Sequence, residues 1–240
     1  FDVEKQAQIV CDGHYGHWAL NSIDKSNPRS ERKLVFVANK FSHEGDTIRD
    51  HVPSGSSIFP DRSGGVWLHV PRESSSTTTT QPGLWHCTPL ESTHIMSDYD
   101  DSAQIICDGD RRGIMILSPS EGGKSKLIHV HEGGDREEQV FDIDFSDVQA
   151  IVDDGKQGVY AHCRRNDRWK LCHVTTSSHA IQDVYDCPKN SKICSDTMGG
   201  VWVWKKVGKA GGRCLAHIDD RWNTQERDER FPVGSVMAGM

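Results

Sequence analysis

One short pattern, Ile-x-x-Asp, recurs five times and constrains this chain more than any other feature in it. It pairs Ile9 with Asp12, Ile58 with Asp61, Ile105 with Asp108, Ile151 with Asp154 and Ile193 with Asp196. The aspartates stand 49, 47, 46 and 42 residues apart. A glycine follows each aspartate four residues later at Gly16, Gly65, Gly158 and Gly200, and five later at Gly113. An aromatic comes two beyond it at Trp18, Trp67, Tyr160 and Trp202, with Met115 in the third unit. A second strand-like signal follows: Leu34-Val-Phe36, Leu84-Trp-His86, Leu127-Ile-His129, Leu171-Cys-His173 and Leu215-Ala-His217. A looser apolar segment closes the units at 48–52, 94–96, 140–143 and 181–185. A period of about 46 residues marks an array of supersecondary units, because each unit is too small to bury its apolar faces alone.

Each unit reads as strand, tight turn, strand, hairpin, strand, loop, strand. Aspartate binds its local backbone and glycine accepts positive φ, so together they supply the turn. The strands are apolar on both faces and would not stand as one open sheet in water. Radial stacking buries both faces and leaves short, protected edges, which is the β-propeller solution. A β-solenoid is the alternative, but its repeats are usually shorter. The expected fold is all-β, a propeller of about five four-stranded blades over residues 1–240, with units at 4–52, 53–98, 99–144, 145–186 and 187–233.

Residues 1–3 and 230–233 both read as fourth strands, and 235–240 reads as the start of a sixth unit. Together with a chain that opens on Phe1, this suggests an excerpt of a larger ring. The Ser/Thr run at 73–81, between Pro71 and Pro82, reads as a solvated loop open to phosphorylation.

With this repeat length and this spacing of Asp, Gly and aromatic residues, the chain resembles the β-propeller repeat proteins as a class over nearly its whole length. The resemblance implies architecture only. Where WD-type propellers end the third strand on Trp-Asp, this chain carries Leu-x-His.

Charge and composition narrow the partners. There are 35 acidic and 28 basic residues, a net charge of −7, which argues against nucleic acid as partner. No apolar run approaches the roughly 20 residues that span a bilayer. The eight cysteines include Cys11, Cys107 and Cys194 at near-equivalent repeat positions, which read as buried thiols. Cys163 with Cys172, or Cys187 with Cys194, would close a disulfide in an oxidising compartment. Their repeat-like placement and the absence of any Asn-x-Ser/Thr acceptor favour reduced thiols and an intracellular setting.

The chemistry-bearing residues are mostly repeat residues. His86, His129, His173 and His217 are equivalent, so they read as structural hydrogen-bonding groups, directed at the repeat aspartates or at backbone carbonyls, rather than as a metal cluster. The five aspartates read as turn formers. Other acids, Asp98, Asp100, Asp101, Asp142, Asp144 and Asp147, read as a solvated surface. There is no Gly-x-Ser-x-Gly elbow, P-loop, dinucleotide fingerprint or paired Cys-x-x-Cys, so no cofactor or catalytic residue is expected.

The most individual surface features are basic hairpins: Arg111 with Arg112, Arg164 and Arg165 with Arg168 and Trp169, and Lys205, Lys206 and Lys209. Arginine beside an aromatic suits interfaces and carboxylate recognition. The expected function is a non-enzymatic module or scaffold docking protein partners through these hairpins. A lectin binding glycans at repeated aromatic pockets is the first alternative, and a propeller glycoside hydrolase with paired carboxylates is the second.

Overall fold

A computed structural model describes residues 7–11, 16–23, 31–38, 45–72, 80–108, 113–156, 158–175, 180–196, 198–207 and 212–227. It forms five four-stranded antiparallel sheets, each a consecutive meander. The first holds β1 (Gln8–Cys11), β2 (Gly16–Ser22), β3 (Arg32–Ala38) and β4 (Asp46–Val52). The second holds β5 (Ser57–Pro60), β6 (Val66–Val70), β7 (Gly83–Cys87) and β8 (Ser92–Met96). The third holds β9 (Gln104–Cys107), β10 (Gly113–Pro119), β11 (Lys124–His131) and β12 (Arg136–Asp144). The fourth holds β13 (Val148–Asp153), β14 (Gly158–Arg165), β15 (Arg168–Thr175) and β16 (Ile181–Asp186), and the fifth β17 (Lys192–Ser195), β18 (Val201–Val207), β19 (Gly212–Ile218) and β20 (Thr224–Arg227). These are the blades of a β-propeller fold.

The chain divides into two compact units. One comprises residues 1–103 with 112–114 and 130–135, the other residues 104–111, 115–129 and 136–240.

Within the first unit, Trp18, Leu20, Leu34 and Val52 of the first sheet pack with Ile58, Val66, Leu68, Val70 and Cys87 of the second. Polar contacts follow the same seam. The Gln8 side chain donates to the Ile58 carbonyl at 2.7 Å and accepts from its N–H at 2.9 Å. Trp18 Nε1 donates to the Gly64 carbonyl at 3.3 Å.

The second unit repeats the arrangement. Tyr160 and Leu171 of the fourth sheet pack with Val201, Val203, Ala216 and Ile218 of the fifth. The Tyr160 hydroxyl donates to the Gly199 carbonyl at 2.8 Å. Trp18 and Tyr160 hold the same repeat position, as do the two acceptor glycines. At these two positions the aromatic fills the layer between sheets and spends its polar atom on the turn of the following sheet. Burying one such side chain is worth about 2–3 kcal/mol, and the hydrogen bond removes the cost of an orphaned donor.

The turn after the first strand of the second, fourth and fifth sheets explains the Asp, the Gly and the His together. Asp61 Oδ1 accepts from the N–H groups of Ser63 and Gly65 at 2.7 and 2.8 Å, while Oδ2 faces His86 Nε2 at 2.8 Å. Asp154 repeats this with Lys156, Gly158 and His173, and Asp196 with Met198, Gly200 and His217. Asp108 meets His129 at 2.7 Å. Each ring of His86, His173 and His217 also packs on its aromatic, Trp67, Tyr160 or Trp202, at 4.3–4.8 Å between centroids. In the first sheet Phe36 replaces histidine and packs on Trp18 at 5.0 Å. Asp12 lies outside the described residues.

Burial alone would raise the Asp61, Asp154 and Asp196 carboxyls. The histidine ring and the turn N–H groups outweigh it and hold all three below the usual carboxylate value.

Some expectations change. The fourth strand of the fifth sheet is β20, pairing Ile218 with Thr224 and Leu215 with Arg227, ahead of the 230–233 segment that the sequence pointed to. Residues 1–6, 73–79 and 228–240, where the sequence pointed to terminal strands and where most of the Ser/Thr run falls, lie outside the described residues. Cys11 is exposed, and Cys107 and Cys194 are half-buried, rather than interior. They sit on β1, β9 and β17, edge strands that pair with a single neighbour in their sheets. Repeat equivalence places such a residue without burying it.

The glycine after the turn is required by space. A Cβ on Gly158 would lie 2.6 Å from the Val174 carbonyl oxygen and 2.7 Å from Asp154 Oδ2, whereas one on Gly133 meets nothing within 4 Å. Gly158→Ala should therefore cost about 2–3 kcal/mol in urea unfolding through overpacking against backbone, and Gly133→Ala less than about 0.5 kcal/mol. Equal effects at the two positions would contradict this reading of the turn.

Candidate functional site

The hairpin joining β14 and β15 is closed by Asn166 and Asp167, both at positive φ (51° and 59°), between the paired Arg165 and Arg168. Two consecutive left-handed residues give a type I′ turn, whose twist matches the flanking strands. This tight closure makes Arg164 and Trp169 direct cross-strand partners on one face. Arg164 Nε donates to Asp147 Oδ1 at 3.0 Å, and Asp147 is held beside β13 by a short 3-10 turn, Phe145–Asp147.

A third segment completes the site. The Cys187 N–H donates to the Trp169 carbonyl at 3.2 Å, and the Ser191 N–H to the Pro188 carbonyl at 3.0 Å. The turn so formed carries Lys189, whose Nζ lies 5.5 Å from the Trp169 ring centroid. Ser146, Asp147, Val148, Gln149, Arg164, Trp169 and Lys189 enclose a cleft of about 460 Å³. Under its aromatic wall lies His162, fully buried, with its ring 5.3 Å from that of Trp169. Burial pushes the His162 pKa below the usual imidazole value, and the Pro188 carbonyl opposes this only in part.

Of the binding residues expected from sequence, the structure gathers Arg164 and Trp169 in the cleft. Arg165 turns to Asp183 at 2.7 Å and Arg168 is exposed at the hairpin tip. Arg111 and Arg112 lie outside the described residues, as does Lys209. Lys205 is not a rim cation. Burial lowers its pKa, but contacts with the Tyr185 hydroxyl and the Glu226 carboxylate outweigh that, and the net shift is upward. Periodicity could not have found Asp147, Gln149 or Lys189, since each occurs once and falls outside the repeated positions. A lysine after proline in a turn was the only visible hint.

The repeated groups are spent on the scaffold. Ligand atoms of Asp61, His86 and the exposed Glu132 lie within 4.8 Å of one another and could hold a cation. The same Asp–His contact recurs at Asp154–His173 and Asp196–His217 as part of the turn, so it is structural wherever it occurs. The expected solvated acids are partly paired: Asp142 and Asp144 both reach Lys124, at 2.7 and 3.2 Å. Trp18 and Trp67 are fully buried, which removes them as platforms for a sugar ring.

His162 generates a pH prediction. A histidine with a lowered folded-state pKa binds fewer protons than in the unfolded chain, so its contribution is present above about 6.5 and is lost as pH falls below that value. The thermal midpoint should decline on acidification through this window. His162→Phe should flatten the decline, and an unchanged slope in that variant would show that His162 does not contribute.

No family model matches the chain, and no curated protein matches it. Solved structures do. A putative TolB from Agrobacterium tumefaciens aligns with a TM-score of 0.55 at 8% identity, covering 92% of this chain and 79% of that one. A puromycin-hydrolysing peptidase from Mycobacterium tuberculosis aligns with a TM-score of 0.53 at 11% identity, covering 94% of this chain and 38% of that one. The chain spans 65% of the length of TolB from Acinetobacter baumannii, at a TM-score of 0.47. At such identities the likeness concerns fold alone: this chain has the architecture of β-propeller proteins.

Proposed function

We propose that the chain is a non-enzymatic interaction module that docks a protein partner at the Arg164–Trp169–Lys189 cleft. The observation that carries this reading is an aromatic wall flanked by cations in a concave surface built from three chain segments. Half-buried Trp169 offers apolar area at low entropic cost, and arginine beside an aromatic is the usual composition of an interface anchor. Among the described residues Arg168 and Lys189 have no carboxylate partner, so the rim can receive negative charge. The partner segment that fits is an acidic peptide bearing one apolar or aromatic side chain.

A scaffold role also agrees with where the chemistry went. The repeat aspartates and histidines, the groups with acid–base chemistry, are engaged in turns. The glycan reading has lost the buried repeat tryptophans as binding platforms.

The test uses labelled peptides of matched length, one Glu-rich and one Lys-rich, each carrying a single tryptophan, titrated against the purified chain. The acidic peptide should bind preferentially and more weakly as salt rises. Lys189→Glu, in an exposed turn, should weaken it by about tenfold, equivalent to 1.4 kcal/mol. No charge preference, or full affinity in Lys189→Glu, would overturn the proposal.

A further inference from the structure

The hairpin that carries Arg164 and Trp169 also holds two thiols in contact. Cys163 and Cys172 sit on β14 and β15 as a diagonal pair, offset by two residues in the register: Cys163 pairs with Lys170 and Cys172 with Ala161. Opposite residues of an antiparallel pair share a face, so both side chains lie on the same side of the sheet. Their sulfurs are 3.3 Å apart. Both thiols are fully buried in the apolar layer with Met115, Leu117, Phe141 and Val174. Two sulfurs already in contact on adjacent strands need only a small side-chain adjustment to reach bonding distance.

The surroundings give access and polarity. The Cys172 S–H donates to Asp183 Oδ1 at 3.7 Å. Asp183 is one third exposed and is held by Arg165 at 2.7 Å and Lys170 at 2.5 Å. The β15–β16 register shifts between Leu171 and Cys172, a bulge that interrupts the ladder beside the thiol. Local opening at this bulge would expose Cys172 without unfolding the sheet. Contact with Cys172 holds the Cys163 thiol below its usual pKa, so Cys163 is the better nucleophile.

We propose that Cys163 and Cys172 form a reversible dithiol–disulfide site, oxidised by a small peroxide. The Cys163 sulfur attacks one peroxide oxygen, the O–O bond breaks, and one water leaves, giving a sulfenic acid. The Cys172 sulfur then attacks that sulfur, its proton leaves with the departing hydroxide as a second water, and the S–S bond forms. Two thiols lose two electrons and one peroxide becomes two waters. A thiol reductant reverses the reaction by exchange. This site stands independently of the docking cleft and carries no assumption about its partner.

The test treats the full chain with hydrogen peroxide, quenches it, and labels thiols with N-ethylmaleimide under denaturing conditions. The reduced chain has eight cysteines to label; the oxidised chain should take two labels fewer. Peptide mapping should recover one linked peptide containing Cys163 and Cys172, absent after dithiothreitol. In Cys163→Ser, peroxide should leave Cys172 labelled, and in Cys172→Ser it should leave Cys163 as a sulfenic acid that dimedone traps, with no linked peptide in either variant. Full labelling after peroxide, stable sulfinic acid in place of the linked peptide, or a pair that includes another cysteine would each overturn the proposal.

Discussion

The structure depends on one carboxylate in each of the second, fourth and fifth sheets. At the end of the first strand an aspartate gathers two turn N–H groups on one oxygen and presents the other to a histidine from the third strand. Three strands are thereby tied at one point. The contact is charge-assisted and largely shielded from water, the setting in which hydrogen bonds contribute most and in which losing one partner is most costly. The glycine four residues on is its steric complement, since a side chain there would meet the carboxylate itself.

That economy decides where function can reside. The groups most suggestive of chemistry, repeated aspartates and histidines, are absorbed by the turn, and Trp18, Trp67 and Tyr160 are buried, while Trp202 stays half-buried against His217. Trp18 and Tyr160 each reach the turn of the following sheet, so turn and layer reinforce one another. What remains free to vary are hairpin tips and connecting turns. The cleft around Trp169 is assembled there, from a tight hairpin, a 3-10 turn and the loop bearing Lys189.

The sequence made the scaffold legible because the same solution is written repeatedly, and spacing alone revealed the turn and the second strand, while the choice of aspartate over a backbone carbonyl as the histidine's partner came from the coordinates. It failed where position in the repeat does not determine environment. Cys11 and Cys107 share a repeat position yet are not buried, and both lie on edge strands that pair on one side only. Lys205 reads as a rim cation, but its side chain folds back onto Tyr185 and Glu226. Arg164 and Trp169 were visible as an interface pair. Asp147 and Lys189 were not, because they arrive from separate loops and only tertiary packing unites them. Cys163 and Cys172 stood out as a cross-hairpin pair, while their sulfur contact and the adjoining bulge required coordinates.

A double-mutant cycle on Asp61 and His86, with Asp61→Asn and His86→Phe, tests the central claim most directly. The phenylalanine is the residue that the first sheet uses at this place, so the ring packing on Trp67 is retained while the polar contact is lost. If the carboxylate–imidazole contact organises the sheet, urea unfolding should give a coupling energy of about 1–3 kcal/mol. Effects that add to within about 0.3 kcal/mol would show that the two side chains act independently, and the turn would no longer be the point that ties the strands together.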